Sequence, residues 1–454
     1  MTTKPSPLVV VELNEVNFDL VRKYLVDHEL PSFRTLIERF DAVETFAESQ
    51  YEQLEPWIQW VSAHTGQTYT EHGVFRLGDG AQFQHPQVFE RLEQSGLRVG
   101  AVSPMNSRNA LARPAYFVPD PWTLTPSDGS GFSKRLTAML RQTVNENSRG
   151  RIALSSLVTL LEVALRTVWV GNHRAMLNLV RRAKGRQWVK AIVLDQVIHH
   201  VHLYWLRKHK PDASFVFLNA GAHIQHHYYF NSPHASATSR NPGWYVDPKA
   251  DPLLEMLQAY DAMLADYLVM AKTGTRLLVA TGLTQLPYDR VKFYYRIQDH
   301  ADFLQRLGLV YSQVLPRMTR DFEVLFASAE QAKAGQTLLA GARMVRDGVK
   351  LFADIDNRGN SLFVTLTYPS EILASDSVRF SGGTLTALRS FVSFVAIKNG
   401  MHSTKGFVFV SPDSGAKLPQ EPVHVSALYG ITLGLMGLSG TGRPSQARAQ
   451  LNKI

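Results

Sequence analysis

Residues 8–21, LVVVELNEVNFDLV, contain the clearest fold signal in this chain of 454 residues. A short apolar run ends in the polar residues Glu12, Asn14 and Glu15, and a helical pattern follows at once. Such a run is typical of a buried parallel strand, and open α/β sheets hold their ligand sites where such strands end. We therefore expect the polar residues of this stretch to mark a functional site.

Further apolar runs alternate with helical patterns along the chain, which predicts an α/β sheet with helices packed on it. The predicted later strands are residues 97–103, 214–219, 276–281 and 407–411. A turn at residues 356–359 joins two further runs and predicts an antiparallel hairpin. We predict one α/β domain over residues 1–124 and 213–454, a helical insert at 125–212 that acts as a cap, and a small C-terminal antiparallel sheet.

The absence of cysteine excludes disulfides, thiolate metal sites and a cysteine nucleophile. The formal charge is +9, yet residues 134–210 alone contain 15 Lys and Arg against three acids. Such a local excess favours an anionic small molecule or a glycan-lipid as substrate, and peripheral contact with a membrane. We expect no nucleic-acid partner, because these cations lie in apolar helices rather than among aromatic stacking platforms.

The patterns that direct a chain to or through a membrane are weak. The N-terminus lacks the long apolar segment of a signal peptide, and Glu162 and Arg166 interrupt the apolar helix predicted at residues 152–170. The helix therefore reads as amphipathic. We expect a cytoplasmic protein that associates with the membrane through its insert.

The order of the polar stretches resembles the alkaline phosphatase superfamily, nearest its type I phosphodiesterase/nucleotide pyrophosphatase branch. The resembling stretches are residues 8–20, 31–36, 57–75 with Thr65-Gly66 and His72-Gly73, 215–230, 277–307 and 400–437 with Gly400-Met401-His402. The resemblance implies an alkaline-phosphatase-like sheet sandwiched by helices. It also implies phosphoryl transfer at two divalent metals with a Ser or Thr nucleophile.

Most positions that carry this chemistry in the family hold other residues here. Asn14 and Ala222 replace metal-binding Asp, residues 52–56 contain no hydroxyl nucleophile, and Gly282-Leu283 replaces Asp-His. The resemblance retains two imidazoles, His226 and His402. They imply either no metal or one Zn²⁺ or Mn²⁺, completed by Asn219, Gln225 or a Glu of the first strand. Other interpretations are a general acid–base pair, a phosphate clamp, or structural histidines.

The predicted catalytic residues are Glu12, Glu55, His226 and His402. Glu55 stands near the replaced nucleophile, either as a base or covalent nucleophile, or as a first-turn acid facing the helix dipole. Strand alternation puts Glu12 and Asn14 on one face and Glu15 on the other, so we expect the first two to line the site. The predicted substrate-binding residues are Asn14, Trp57, Arg76, Asn219, His223, Gln225 and His227.

Three functions are consistent with these residues. The first is a diverged transferase or hydrolase acting on a phosphate-linked glycan, lipid or nucleotide-sugar in bacterial surface-polysaccharide assembly, by base-assisted displacement without a phosphoenzyme. The second is a non-catalytic relative that binds a glycan or a partner. The third is a conventional metal-dependent phosphodiesterase. Metal content and product formation separate the three.

Overall fold

The computed structural model describes residues 5–145, 154–167, 173–235, 239–317, 320–415 and 418–439. The chain divides into two compact units. The first comprises Met1–Ser236, Val246–Pro287 and Gly400–Ile454, and the second comprises Ala237–Tyr245 and Tyr288–Asn399.

The elements alternate in the first half of the chain and become strand-rich in the second. The strands are β1 (Leu8–Leu13), β2 (Asp41–Phe46), β3 (Val99–Val102), β4 (Tyr116–Val118), β5 (Ala213–Leu218), β6 (Arg276–Ala280), β7 (Thr284–Ile297), β8 (Gln313–Pro316), β9 (Asp321–Leu325), β10 (Arg343–Met344), β11 (Asp354–Asn357), β12 (Ser361–Thr365), β13 (Val378–Phe380), β14 (Gly383–Leu385), β15 (Val392–Ser403), β16 (Lys405–Val410) and β17 (Val423–His424). The helices are α1 (Phe18–Asp27), α2 (Pro31–Arg39), α3 (Pro56–Thr65), α4 (Tyr69–His72), α5 (Val88–Gln94), α6 (Gly131–Asn145), α7 (Leu154–Arg166), α8 (His173–Arg182), α9 (Gln187–His209), α10 (Ala220–Tyr228), α11 (Pro252–Lys272), α12 (His300–Arg306), α13 (Ala329–Gly341) and α14 (Ala427–Leu435).

The first unit is built on an eight-stranded sheet in the order β17-β2-β16-β6-β1-β5-β3-β4. Strand β1 lies between β5 and β6 and pairs with both in parallel, while β16 is antiparallel to its neighbours. All six residues of β1 are buried. Helices that cover both faces of such a strand explain its uninterrupted apolar run. The predicted α/β fold, a mostly parallel sheet with helices packed on it, is confirmed.

A large apolar core holds the helices of the first unit against this sheet. It joins residues of β1, β5 and β6 to side chains of α3, α5 and α14, among them Trp60, Phe89 and Leu433. Burial of each large apolar side chain contributes about 1.5–3 kcal/mol to folding. This packing fixes α3 over the C-terminal end of β1.

Helices α6–α9 form the basic insert and belong to the first unit. The helix predicted at residues 152–170 is observed as α7, and residues 152, 153 and 168–170 of that prediction lie outside the described residues. The boundaries 125–212 and the interpretation as a cap stay predictions.

The second unit contains the predicted antiparallel structure. A four-stranded sheet has the order β11-β12-β9-β8, and a three-stranded sheet has the order β10-β13-β14. A hairpin is present at the predicted turn, because β11 and β12 pair antiparallel and the Arg358 N–H donates to the Ser361 carbonyl at 2.9 Å. Its first strand begins only at Asp354, whereas the sequence predicted a strand over residues 345–354. Phe322, Leu362 and Val364 belong to its own apolar core.

Candidate metal centre

A tight turn follows β1 and positions the first functional side chain. The N–H of Glu15 donates to the Thr281 carbonyl at 3.0 Å, and Glu15 adopts a left-handed backbone with φ of 62°. This region is uncommon for residues other than glycine. The strand alternation therefore ends at Leu13, and the Glu15 carboxylate meets the imidazoles of His226 and His402.

Three ligand atoms form a nearly equilateral triangle. Glu15 Oε2 lies 3.3 Å from His226 Nε2 and 3.4 Å from His402 Nε2, and the two Nε2 atoms are 3.2 Å apart. A tetrahedral Zn²⁺ with bonds of about 2.0–2.1 Å holds its ligand atoms about 3.3–3.4 Å apart. The triangle therefore fits one such ion, and its donor types suit Zn²⁺ or Mn²⁺.

Buried amides hold the Glu15 carboxylate. The Gln285 Nε2 donates to Glu15 Oε2, and the Asn14 Nδ2 donates to Glu15 Oε1 at 3.3 Å. Asn14 is itself oriented by the Trp60 indole N–H, which donates to its Oδ1 at 2.8 Å, while its Nδ2 also donates to Asn219 Oδ1 at 2.8 Å. Both carboxylate oxygens thus have fixed partners.

The electrostatic setting keeps Glu15 ionised. Its side chain is buried, which by itself opposes ionisation, but the charges and hydrogen bonds of His402 and His226 outweigh that effect. Together they lower the pKa of Glu15 well below its usual range. His226 is more exposed than His402, so the centre is accessible from the side of His226.

Glu55 lies at the edge of the same centre. It precedes α3 as its N-cap residue, and its Oε2 is 3.8 Å from His402 Nδ1. At this distance the two groups form an ion pair when His402 is protonated but no hydrogen bond. The structure thus brings together Glu55, His226 and His402 of the predicted catalytic set.

Glu12 lies elsewhere, beneath α3. Its Oε1 is 2.7 Å from His64 Nε2, and the other nitrogen of that ring is 2.9 Å from Ser107 Oγ. All three residues are buried. The side chain that completes the centre is therefore Glu15, whose turn conformation no strand pattern reveals.

The other predicted residues divide into those on α10, which lies beside the centre, and those on α3 and the loop that contains Arg76. Gln225 is buried and donates to the Glu15 carbonyl at 2.7 Å, so it holds the turn after β1. His223 and His227 pack against each other on α10, with ring centroids 4.9 Å apart. Trp57 donates its indole N–H to the Phe75 carbonyl, and the carbonyl of Arg76 accepts from Asn106. Their predicted roles in substrate binding stay predictions.

Sequence reasoning did not find Gln285. It is separated from Glu15 by 270 residues, and a glutamine at the start of a strand is no signal of a site. The Trp60 indole fills the space beside Gly282: a Cβ added there would lie 3.0 Å from that ring. This is the position at which the family resemblance implies Asp-His.

No protein-family model and no curated protein matches the sequence. Solved structures are similar to it over most of its length. Phosphonoacetate hydrolase from Sinorhizobium meliloti 1021 in complex with phosphonoformate is 12% identical, with 96% of each chain covered and a TM-score of 0.43. Murine ectonucleotide pyrophosphatase/phosphodiesterase 5 is 12% identical, with 95% of each chain covered and a TM-score of 0.40. Alkaline phosphatase from the Antarctic bacterium TAB5 is 9% identical, with 96% of this chain and 100% of that chain covered and a TM-score of 0.39.

Proposed function

We propose that the protein binds one divalent ion, Zn²⁺ or Mn²⁺, through Glu15, His226 and His402, and that it hydrolyses or transfers a phosphate-linked group. The observation that carries this proposal is the triangle of ligand atoms with edges of 3.2–3.4 Å. Two imidazoles and one carboxylate are a donor set of catalytic zinc sites, which keep a further position open.

One ion rather than two is supported by the packing beside Asn14. The Trp60 indole occupies the space next to Gly282 and donates to Asn14 Oδ1. An amide and an indole offer no negative charge to balance a second divalent ion. The conventional two-metal phosphodiesterase is therefore the less favoured of the three functions.

The protein's own groups suit displacement at phosphorus. When bound, the ion supplies Lewis-acid stabilisation of a phosphoryl oxygen. Glu15 balances one of its two positive charges, so the centre keeps a net attraction for an anionic group. Glu55 is the base that takes the proton of the acceptor hydroxyl or water. The acceptor oxygen forms a bond to phosphorus as the bond from phosphorus to the leaving oxygen breaks.

From the sequence we also propose that the substrate is a phosphate-linked glycan, lipid or nucleotide-sugar. The protein would act on it in the cytoplasm, in the assembly of a bacterial surface polysaccharide. The charge of the insert supports an anionic substrate. Turnover of nucleotide-sugars against simple phosphodiesters tests this part of the proposal.

The metal centre is tested by elemental analysis of protein purified without chelators and dialysed against Zn²⁺ or Mn²⁺. We expect about one ion per chain, as one ligand set implies. The variants His226→Ala and Glu15→Gln should lose it, because each removes one of three ligands. The matched control is His227→Ala, the neighbouring histidine on α10, which should keep the ion. An unchanged metal content in His226→Ala would show that the triangle is not the site.

The catalytic role is tested with bis(4-nitrophenyl) phosphate and nucleotide-sugars on the metal-loaded protein. Glu55→Gln should lower turnover by about 10²–10⁴-fold, the usual contribution of a general base, with metal content retained. Full turnover in Glu55→Gln would refute the assigned base. A loaded protein that turns over none of these substrates would favour the non-catalytic, ligand-binding relative.

A further inference from the structure

Helix α7 directs its apolar face to solvent. Leu157, Leu161 and Leu165 follow one another at four-residue spacing and are 48%, 61% and 69% exposed, and Val158 beside them is 56% exposed. The opposite face buries Ser156 and Thr159 together with Val163 and Thr167. A surface helix normally buries its apolar stripe, so this arrangement is inverted.

Helix α8, which follows α7 in the insert, also exposes apolar side chains to solvent. It has no buried residue, and its Leu177 and Val180 are about half exposed, while Arg181 and Arg182 form its last turn. An apolar surface of this kind marks an interaction site when it recurs over neighbouring elements. Here the apolar side chains are interleaved with cations.

A cationic cavity adjoins the C-terminal end of α7. It has a volume of about 500 Å³, and Arg135, Arg166 and Lys208 line it together with the stacked rings of Tyr116 and Trp205. Arg166 directly follows the exposed Leu165 in the sequence. The cavity therefore lies at the same end of α7 as Leu165.

The acids around this cavity are already engaged. Glu162 accepts from Arg135 and Arg166 at 2.8–2.9 Å, and Asp128 accepts from the N–H groups of Phe117 and Ser130 at 3.0 and 2.8 Å. Burial lowers the pKa of His209 in the cavity wall, and the charges of Lys208 and Arg98 lower it further. Because the three cations Arg135, Arg166 and Lys208 outnumber the two carboxylates, the cavity keeps a net positive charge.

The charge of the insert indicates which partner covers the apolar face. The described residues 154–167 and 173–210 contain ten Lys and Arg against Glu162 and Asp195. Two copies of this surface would repel each other. An anionic bilayer supplies phosphates for the cations and acyl chains for the leucines at the same time.

We propose that the exposed apolar side chains of α7 and α8 dock on the surface of an anionic phospholipid bilayer, with a lipid phosphate held in the cavity by Arg135, Arg166 and Lys208. The helices lie along the surface. Among the described residues, no helix combines the length and the apolar character that crossing a membrane requires. The proposal is independent of the metal centre and of catalysis.

The test is sedimentation of the full chain with vesicles of phosphatidylcholine, with and without phosphatidylglycerol. We expect roughly tenfold stronger binding when the anionic lipid is present, weakened by salt. The double variant Leu161→Glu/Leu165→Glu should lower binding to both kinds of vesicle by at least about tenfold, because it puts charge at the acyl boundary. Lys208→Glu should chiefly remove the preference for the anionic lipid.

The matched control is Val26→Glu on α1, which places the same charge at a residue that is 80% exposed. It should bind vesicles as the wild type does, and all variants should keep their circular dichroism and metal content. Equal binding to both lipids, or unchanged binding of the α7 double variant, would overturn the proposal. So would a wild-type dimer that this double variant converts to a monomer, or binding of glycerol phosphate without binding of vesicles.

Discussion

Glu15 is the residue on which the candidate centre depends. Its left-handed backbone stores strain of about 1–3 kcal/mol, which the surrounding hydrogen bonds offset. Asn14 provides one of these bonds and is oriented by Trp60. Neighbouring residues of one turn thus have different tasks: Glu15 presents a charge, and Asn14 keeps it in place.

Replacing Asn14 by Asp tests this division. The Asn14 amide donates to Glu15 and Asn219. A carboxylate at residue 14 would lose both hydrogen bonds, because its oxygens would face two acceptor oxygens, and it would be repelled by the negative charge of Glu15. We expect Asn14→Asp to lower the free energy of unfolding by about 2–4 kcal/mol, measured by urea denaturation of the metal-free protein. The exposed Asn360→Asp is the control and should change it by less than about 0.5 kcal/mol. Equal stability of the two variants would contradict the assigned orientation of Asn14.

Strand β15 contributes to the centre through its backbone as well as through His402. Gly400 packs against two glutamines that hold Glu15 and its turn: an added Cβ would overlap Gln285 Oε1 and lie 2.7 Å from the carbonyl oxygen of Gln225. A glycine is required here by the close approach of neighbouring elements rather than by a turn. Strand β15 therefore supplies His402 directly and positions Glu15 indirectly, through Gln285.

Gly400→Ala should displace the Gln285 amide and with it the Glu15 carboxylate. We expect metal affinity to fall by about 10–100-fold, as for other outer-shell changes, and stability by about 1–3 kcal/mol. Competition with a fluorescent zinc chelator measures the first effect, and thermal denaturation the second. Gly430→Ala on α14 meets no atom within 4 Å and should leave the affinity unchanged. Wild-type affinity in Gly400→Ala would show that Gln285 does not support the centre.

At the scale of the whole molecule, buried histidines link stability to pH. Burial lowers the pKa of His72, His200 and His300 to about 4, with smaller effects of nearby charges. His72 lies at the end of α4, where its Nδ1 accepts from the Val74 N–H at 3.0 Å. His72 and His200 belong to the first unit and His300 to the second, so we expect acid to destabilise each unit.

The sign of the effect follows from proton linkage. The unfolded chain binds protons near pH 6.5, whereas the folded chain binds them only near pH 4, so stability is complete above about pH 6.5 and is lost as the pH falls towards 4. Each residue accounts for up to about 3 kcal/mol. The measurement is the urea concentration at the midpoint of unfolding as a function of pH. Between about pH 6.5 and 4 this midpoint should fall less steeply in His72→Gln than in the wild type, whereas the exposed His85→Gln should behave as the wild type does. An unchanged slope in His72→Gln would contradict the effect.

The fold class followed from local patterns, because a buried parallel strand and a tight hairpin leave their signals within a few residues. Residues 8–13 and the hairpin around residues 356–359 are such cases, and both are observed. The candidate site was only partly predictable. The retained histidines His226 and His402 stood out by their order along the chain, but strand alternation favoured Glu12 over Glu15, since it contains no information about where a strand stops.

The sequence by itself determined the α/β architecture and the basic insert, since these depend on periodicity and composition, and its resemblance to a family implied the pair of imidazoles. Only the tertiary structure decided that Glu15 joins the imidazoles, that Gln285 holds it from 270 residues away, and that α7 turns its leucines outward. The physical reason is that a ligand triangle and an exposed face are set by contacts between distant segments. Backbone turns and core packing choose those contacts, and no local pattern of residues specifies them.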